Sequence, residues 1–167
     1  MGFELDAFLG RRSDLQKWKG RLPSAVVCDL SGDLGLVPVT GLLFQGLRAR
    51  LGTEADRLDA SQSSRSYPPP SYKEGVRRWG VEASAGTTVA YLSLGEFGNQ
   101  SHDEATLWSD RREVLSGVEV RIVLDYLRDE VGIDIGNGPI DLELHRGEDA
   151  AEKWAAASSH SGGNGKP

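Results

Sequence analysis

The densest set of chemically capable side chains in this 167-residue chain is Glu96, Asn99, Gln100, His102, Asp103 and Glu104. An imidazole beside carboxylates can ligate a divalent metal or act as a base, because such ligands suit zinc, manganese or iron. Adjacent residues of an extended segment nevertheless point in different directions, and no second histidine lies at a useful short spacing. His145 could join only through the tertiary fold. A polar hairpin loop, or a surface that recognises a partner, accounts for the same residues more cheaply. The expectation is therefore no metal and no other cofactor at this loop.

Asp29 and Asp33 flank the tight Ser31-Gly32 pair. Two carboxylates roughly 5 to 10 Å apart across a cleft can divide acid and base roles. Turn formation explains the same letters. A small metal-dependent or acid-base enzyme using Asp29, Asp33, His102 and His145 stands as the alternative to a binding protein, and it requires those groups to converge in a concave pocket. Other catalytic devices lack their parts. The glycines never form a phosphate-binding pattern, and Gly162 to Lys166 lacks the Ser or Thr that follows a P-loop lysine. Ser24, Ser93 and Ser101 have no nucleophile-elbow context.

These residues need elements to position them, and the pattern predicts an α+β fold, a small antiparallel or mixed sheet packed against helices. Residues 1–157 read as a single domain, with a flexible connection at 59–75 and a disordered tail at 158–167. Leu5, Phe8, Leu9, Leu15 and Trp18 predict a first helix over 3–19. Ala25 to Leu30 reads as a short strand, and Leu34 to Val39 as an edge strand, or one that Pro38 ends. Thr40 is placed to cap a helix whose face is Leu43, Phe44, Leu47 and Leu51. Four serines and Tyr67-Pro-Pro-Pro70 mark the connection. Thr87 to Leu94 alternates with apolar residues on both faces, as a central strand does. Glu104 to Trp108 is its antiparallel partner, with a loop spanning about Glu96 to Asp103. Ser116 and Glu119 have capping-box spacing ahead of the stripe Val120, Val123, Leu124, Leu127 and Val131, which Gly132 stops. Ile140 to Leu144 reads as a short strand and Glu148 to Ala157 as a last helix docked by Trp154.

Composition bounds the partners. The chain carries 25 acidic and 19 basic residues, a net charge of -6. That balance disfavours nucleic acid or an anionic membrane as the main partner, since both need concentrated positive charge. Arg11, Arg12, Lys17, Lys19 and Arg21 cluster near the start and read as the wet face and end of the first helix. The lone Cys28 leaves no internal disulfide and sits in an apolar run, where a buried thiol is expected. No apolar run approaches the roughly 20 residues that span a bilayer. An acidic start unlike a secretory signal completes the expectation of a cytoplasmic protein.

Trp18, Trp79, Trp108 and Trp154 are well separated and read as core or docking residues. Trp79 follows Arg77-Arg78 just after the connection, where an exposed aromatic would anchor a partner. Several segments also carry a resemblance: Leu34-Gly-Leu-Val-Pro-Val-Thr40, Val89-Ala-Tyr-Leu-Ser-Leu-Gly-Glu-Phe-Gly98, Ala105-Thr-Leu-Trp108, Ile122 to Gly132, and Leu144-His-Arg146 before Glu148, Asp149 and Trp154. In these the chain resembles a loose group of small uncharacterised actinobacterial proteins of immunity or accessory type. The resemblance implies toxin neutralisation or an accessory-subunit role and carries no catalytic residues. Charge and aromatic placement point the same way, to a non-enzymatic protein that binds another, basic protein through Trp79, Glu96, Phe97, Asn99, His102, Asp103 and Glu104. A structural homo-oligomer is the third reading.

Overall fold

The computed structural model describes residues 3–51, 70–97, 100–137 and 155–157. Its centre is one antiparallel sheet of six strands in the order β2-β3-β1-β4-β5-β6. The strands are β1 (Phe3–Arg11), β2 (Cys28–Asp29), β3 (Leu34–Pro38), β4 (Thr88–Phe97), β5 (Gln100–Ser109) and β6 (Arg112–Val118). The helices are α1 (Arg12–Gln16), continued by a 3₁₀ turn at Lys17–Gly20, then α2 (Gly41–Leu51), α3 (Pro70–Ala83) and α4 (Val120–Asp129). This is a single-domain α+β fold, as the sequence pattern predicts.

The sheet is covered on both faces. Leu5, Ala7 and Leu9 of β1, Leu34 and Leu36 of β3, and Ala90, Leu92 and Leu94 of β4 face α4, which adds Val123, Leu124 and Leu127. Phe8, Val37, Val89 and Trp108 face the other way, onto Leu15, Trp18, Leu43, Leu47, Val76 and Trp79 of the α1–α3 layer. Two dry interfaces explain why the central strands carry apolar residues on both sides of the pleat.

That same feature corrects the expected first helix. Leu5, Phe8 and Leu9 satisfy a helical stripe, but Leu5, Ala7 and Leu9 also satisfy a period of two. Pairing to β3 and β4 along both edges of β1 makes it a strand from Phe3 to Arg11, with Leu5 through Leu9 at 7% exposure or less. Helix begins only at Arg12. Residues 70–75, expected in the flexible connection, instead open α3, with Pro70 in the first helical position where its missing N–H costs nothing. β3 is not an edge, because β2 pairs along it, and Pro38 ends it as expected.

The β4–β5 hairpin is longer than predicted. Its register runs from Thr88↔Ser109 to Phe97↔Gln100, so the expected loop from Glu96 to Asp103 is mostly paired strand. Strand β6 replaces the expected capping box. Ser116 lies within the strand, Glu119 is the residue before α4, and its side chain makes no cap. Four residues of the α4 stripe are as read, with Val120, Val123, Leu124 and Leu127 buried, whereas Val131 lies past the helix end and is half-buried; Gly132 follows with a φ of +79°. Thr40 caps α2 as read, its Oγ1 accepting the Leu43 N–H at 3.1 Å. Cys28 is buried. The expected strand at 140–144, the last helix up to Trp154 and the tail from 158 lie outside the described residues. No described helix is long and apolar enough to cross a membrane.

Candidate functional site

The two halves of the alternative catalytic set do not meet. Asp29 pairs with Gly35 at one end of the sheet, on a row that continues through Gly10 of β1 and Val89 of β4. His102 pairs with Gly95 toward the other end. β2 and β5 are four strand spacings apart, about 19 Å across the sheet, and the rows Gly95 and Val89 differ by about 20 Å along it. Asp29 is 72% exposed and makes an ion pair with Arg12, Nε to Oδ1 at 3.2 Å. That contact is an ion pair without a hydrogen bond, and the Arg12 guanidinium instead donates to the carbonyls of Leu30 (3.1 Å) and Gly32. The backbone of Asp33 is tied on both sides, its N–H to the Asp134 carbonyl and its carbonyl to the Arg12 N–H, each at 2.8 Å. Arg12 thus reads the turn from inside, and Asp29 and Asp33 build that turn. His145 lies outside the described residues.

The hairpin set also divides. Asp103 is exposed at the rim, and its Oδ1 accepts the Val120 N–H at 2.8 Å. It caps the first turn of α4, the task expected of Ser116. Glu104, its neighbour, projects from the opposite face, exposed and lying over Gly117, where a Cβ would come 3.7 Å from its Oε1. Glu96 pairs with Ser101 and Phe97 with Gln100 at the tip of the hairpin, and Asn99 lies outside the described residues. Among the described residues no three His, Cys, Asp or Glu side chains gather as a metal site.

Trp79 is not the exposed anchor expected of it. It is 0% exposed, edge-on to Trp18 at 5.2 Å, with the guanidiniums of Arg21 and Arg50 lying over its ring at 5.0 and 5.5 Å. Both arginines also reach Glu82, so the 3₁₀ turn, α2 and α3 are joined above one indole. Trp18 and Trp108 are core residues as read.

Two features escaped the sequence reading. An open depression of about 530 Å³ at one end of the sheet is lined by Arg11, Asp14, Thr87, Thr88, Ser109 and Asp110, over Val131 and Ile133. Its polar groups largely satisfy one another. Thr87 donates to Asp14 at 2.6 Å, the Thr88 and Ser109 hydroxyls share a bond of 2.9 Å, and Asp110 accepts the Gly86 N–H at 3.2 Å. These bonds clasp the tight β5–β6 turn, whose residues Asp110 and Arg111 both have positive φ, 49° and 69°. The Arg111 N–H is held by Ser84 Oγ at 3.0 Å, which offsets the strain of a non-glycine pair there.

The second feature is the outer side of β6 and α4. Val114 and Ile122, 42% and 41% exposed, are two of the three large apolar residues exposed among the described ones. The exposed carboxylates of Glu104 and Glu113 lie on the sheet face opposite α4, and those of Glu119, Asp129 and Glu130 on α4 or at its ends. Arg128 grips Asp129 through two hydrogen bonds of 2.8 and 3.0 Å, and those bonds hold the Asp129 carboxyl below its ordinary pKa. The backbone of β6 is irregular, with register shifts either side of Leu107↔Leu115 and a φ of +65° at Gly117. Such kinks blunt an edge against strand addition, so this side offers its side chains and not its ladder.

Comparison with family models, with curated proteins and with solved structures finds no match to this chain.

Proposed function

We propose that this protein binds a basic protein partner without catalysing a reaction, through the side formed by β6, the start of α4 and the outer face of β5. One observation carries the reading: two exposed aliphatic side chains, Val114 and Ile122, sit in a stretch, 84–137, with ten acidic residues against four basic. Apolar contact supplies burial at the centre of such a surface, and the carboxylate rim steers a basic partner and rejects acidic ones. Toxin neutralisation and an accessory-subunit role are both forms of this binding. Of the contacts expected from sequence, Glu104 belongs to this surface. Asp103 shapes it by capping α4, and Trp79 is removed from it by burial.

The test is affinity capture from the native lysate with the wild type and with a Glu113→Arg/Glu119→Arg/Ile122→Ser variant. A stoichiometric basic protein lost in the variant supports the reading. Recovery of the protein alone, or of a partner indifferent to the three changes, sinks it. Asp103→Arg is a poor probe because it also uncaps α4.

A further inference from the structure

The net charge of -6 conceals a division across the sheet. Residues 13–21, 41–51 and 70–83, which form the α1–α3 layer, carry eight Lys or Arg against three Asp or Glu, a net of +5; Arg12 turns instead to Asp29 and the Leu30 and Gly32 carbonyls. Residues 119–137, which hold α4 on the other face, carry two Arg against five Asp or Glu, a net of -3. The sheet stands between α4 on one face and α1–α3 on the other, so positive charge collects on the outer side of the α1–α3 layer.

At the centre of that basic side, Arg21 and Arg50 share the single carboxylate of Glu82 while lying over Trp79. Among the described residues, two cations on one anion leave positive charge in excess. Arg78 stands one helical turn before Glu82, and Lys19 and Lys17 precede Arg21 in the 3₁₀ turn, Lys17 77% exposed with its ammonium 3.7 Å from Asp14. Because the indole holds the two guanidinium groups in place, little side-chain freedom remains to be lost when another carboxylate approaches. Leu42, 68% exposed at the start of α2, adds an apolar contact on the same layer.

We infer that the α1–α3 layer is a second docking surface, whose partner is an acidic protein segment presenting a run of Asp and Glu side chains. This site is centred on the helices that cover β1, β3 and β4, whereas the surface proposed above lies at the β6 edge of the sheet, and it goes beyond that reading. Single-stranded nucleic acid fits it less well, because base recognition there relies on exposed aromatic platforms. Trp18 and Trp79 are 2% and 0% exposed. A long polyanion would also run off the basic patch toward the acidic side of the molecule. A short acidic segment stays on the patch.

The full chain is titrated at about 0.1 M salt with fluorescent poly-L-glutamate and, separately, with an oligothymidylate of similar length. The expected result is binding of polyglutamate in spite of the protein's negative net charge, and weaker binding of the oligonucleotide. Lys17→Glu/Lys19→Glu/Arg77→Glu reduces polyglutamate affinity by about tenfold or more, as three reversed surface charges should. Glu119→Lys/Glu130→Lys, at the two ends of α4, leaves it at least as tight as wild type. Circular dichroism checks the fold, and the milder Lys19→Gln/Arg77→Gln pair gives a smaller loss in the same direction. Absence of polyglutamate binding overturns the inference, as does tighter binding of the oligonucleotide. Self-association abolished by the triple variant also overturns it, because the occupant is then a second copy. The capture experiment above is read on the acidic side, so either proposal can fail alone.

Discussion

Asp103 fixes where α4 begins, because its carboxylate takes the Val120 N–H that no residue of the helix can accept. Asp103→Ala should lower stability by about 1 kcal/mol in urea denaturation, and Asp103→Asn, which keeps an acceptor, by clearly less. Equal losses would mean that the charge matters and the bond does not. On the same helix Asp129 is held by Arg128, so its carboxyl titrates below its ordinary value. The sign follows: any stability from this pair is present above the ordinary aspartate pKa and is lost as pH falls through the lowered one. Carbon-detected NMR titration should find the depressed midpoint in the wild type and its return toward the ordinary range in Arg128→Ala. Residue identity alone made several of these roles legible. Thr40 as a cap and Val120, Val123, Leu124 and Leu127 as a buried stripe follow from local rules. Asp103 did not, because its partner lies 17 residues later, across the β5–β6 hairpin.

Elements were legible where one periodicity fits and illegible where two do. β4 could be read because Val89 to Leu94 suits only a strand, whereas Phe3–Arg11 suits both, and the pairing partners that decide it lie at 34–38 and 88–97. β6 stayed hidden because its turn, Asp110-Arg111, adopts positive φ without the glycine that usually announces such a hairpin. α3 stayed hidden behind Tyr67-Pro-Pro-Pro70, whose last proline is its first residue. The packing of α3 on the sheet gives an element-scale prediction. A Cβ at Gly80 would lie 2.5 to 2.6 Å from three ring carbons of Trp108, too close for any rotamer to relieve. Gly80→Ala should therefore destabilise the protein by about 1–3 kcal/mol or more through overpacking, in spite of alanine's better helix propensity. Combining it with Trp108→Leu should cost less than the two single changes together, a coupling that a double-mutant cycle measures. Additive losses would place the strain somewhere other than the α3–β5 contact.

At the scale of the whole molecule, the separation of charge makes net charge a poor guide to what binds. Sequence reading set aside anionic partners from the total of -6. That total is an average over two sides whose charges differ in sign, and only the layer order of the fold assigns each residue to a side. Three layers of helix, sheet and helix are about 30 Å thick. At about 0.01 M salt the Debye length is also about 30 Å, so an anionic surface facing the α1–α3 layer still feels the acidic side and repels the molecule. At about 0.1 M it is about 10 Å, and that surface feels the basic layer alone; near 1 M it is about 3 Å, and attraction fades. Retention on a carboxymethyl resin at neutral pH should therefore pass through a maximum at intermediate salt. A uniformly acidic protein would show no retention at any salt, and a uniformly basic one would show retention falling steadily from the lowest. Lys17→Glu/Lys19→Glu/Arg77→Glu should remove the maximum. A monotonic profile in the wild type would mean that neighbouring carboxylates neutralise the basic layer locally, and the layer would then have no field with which to draw an acidic segment.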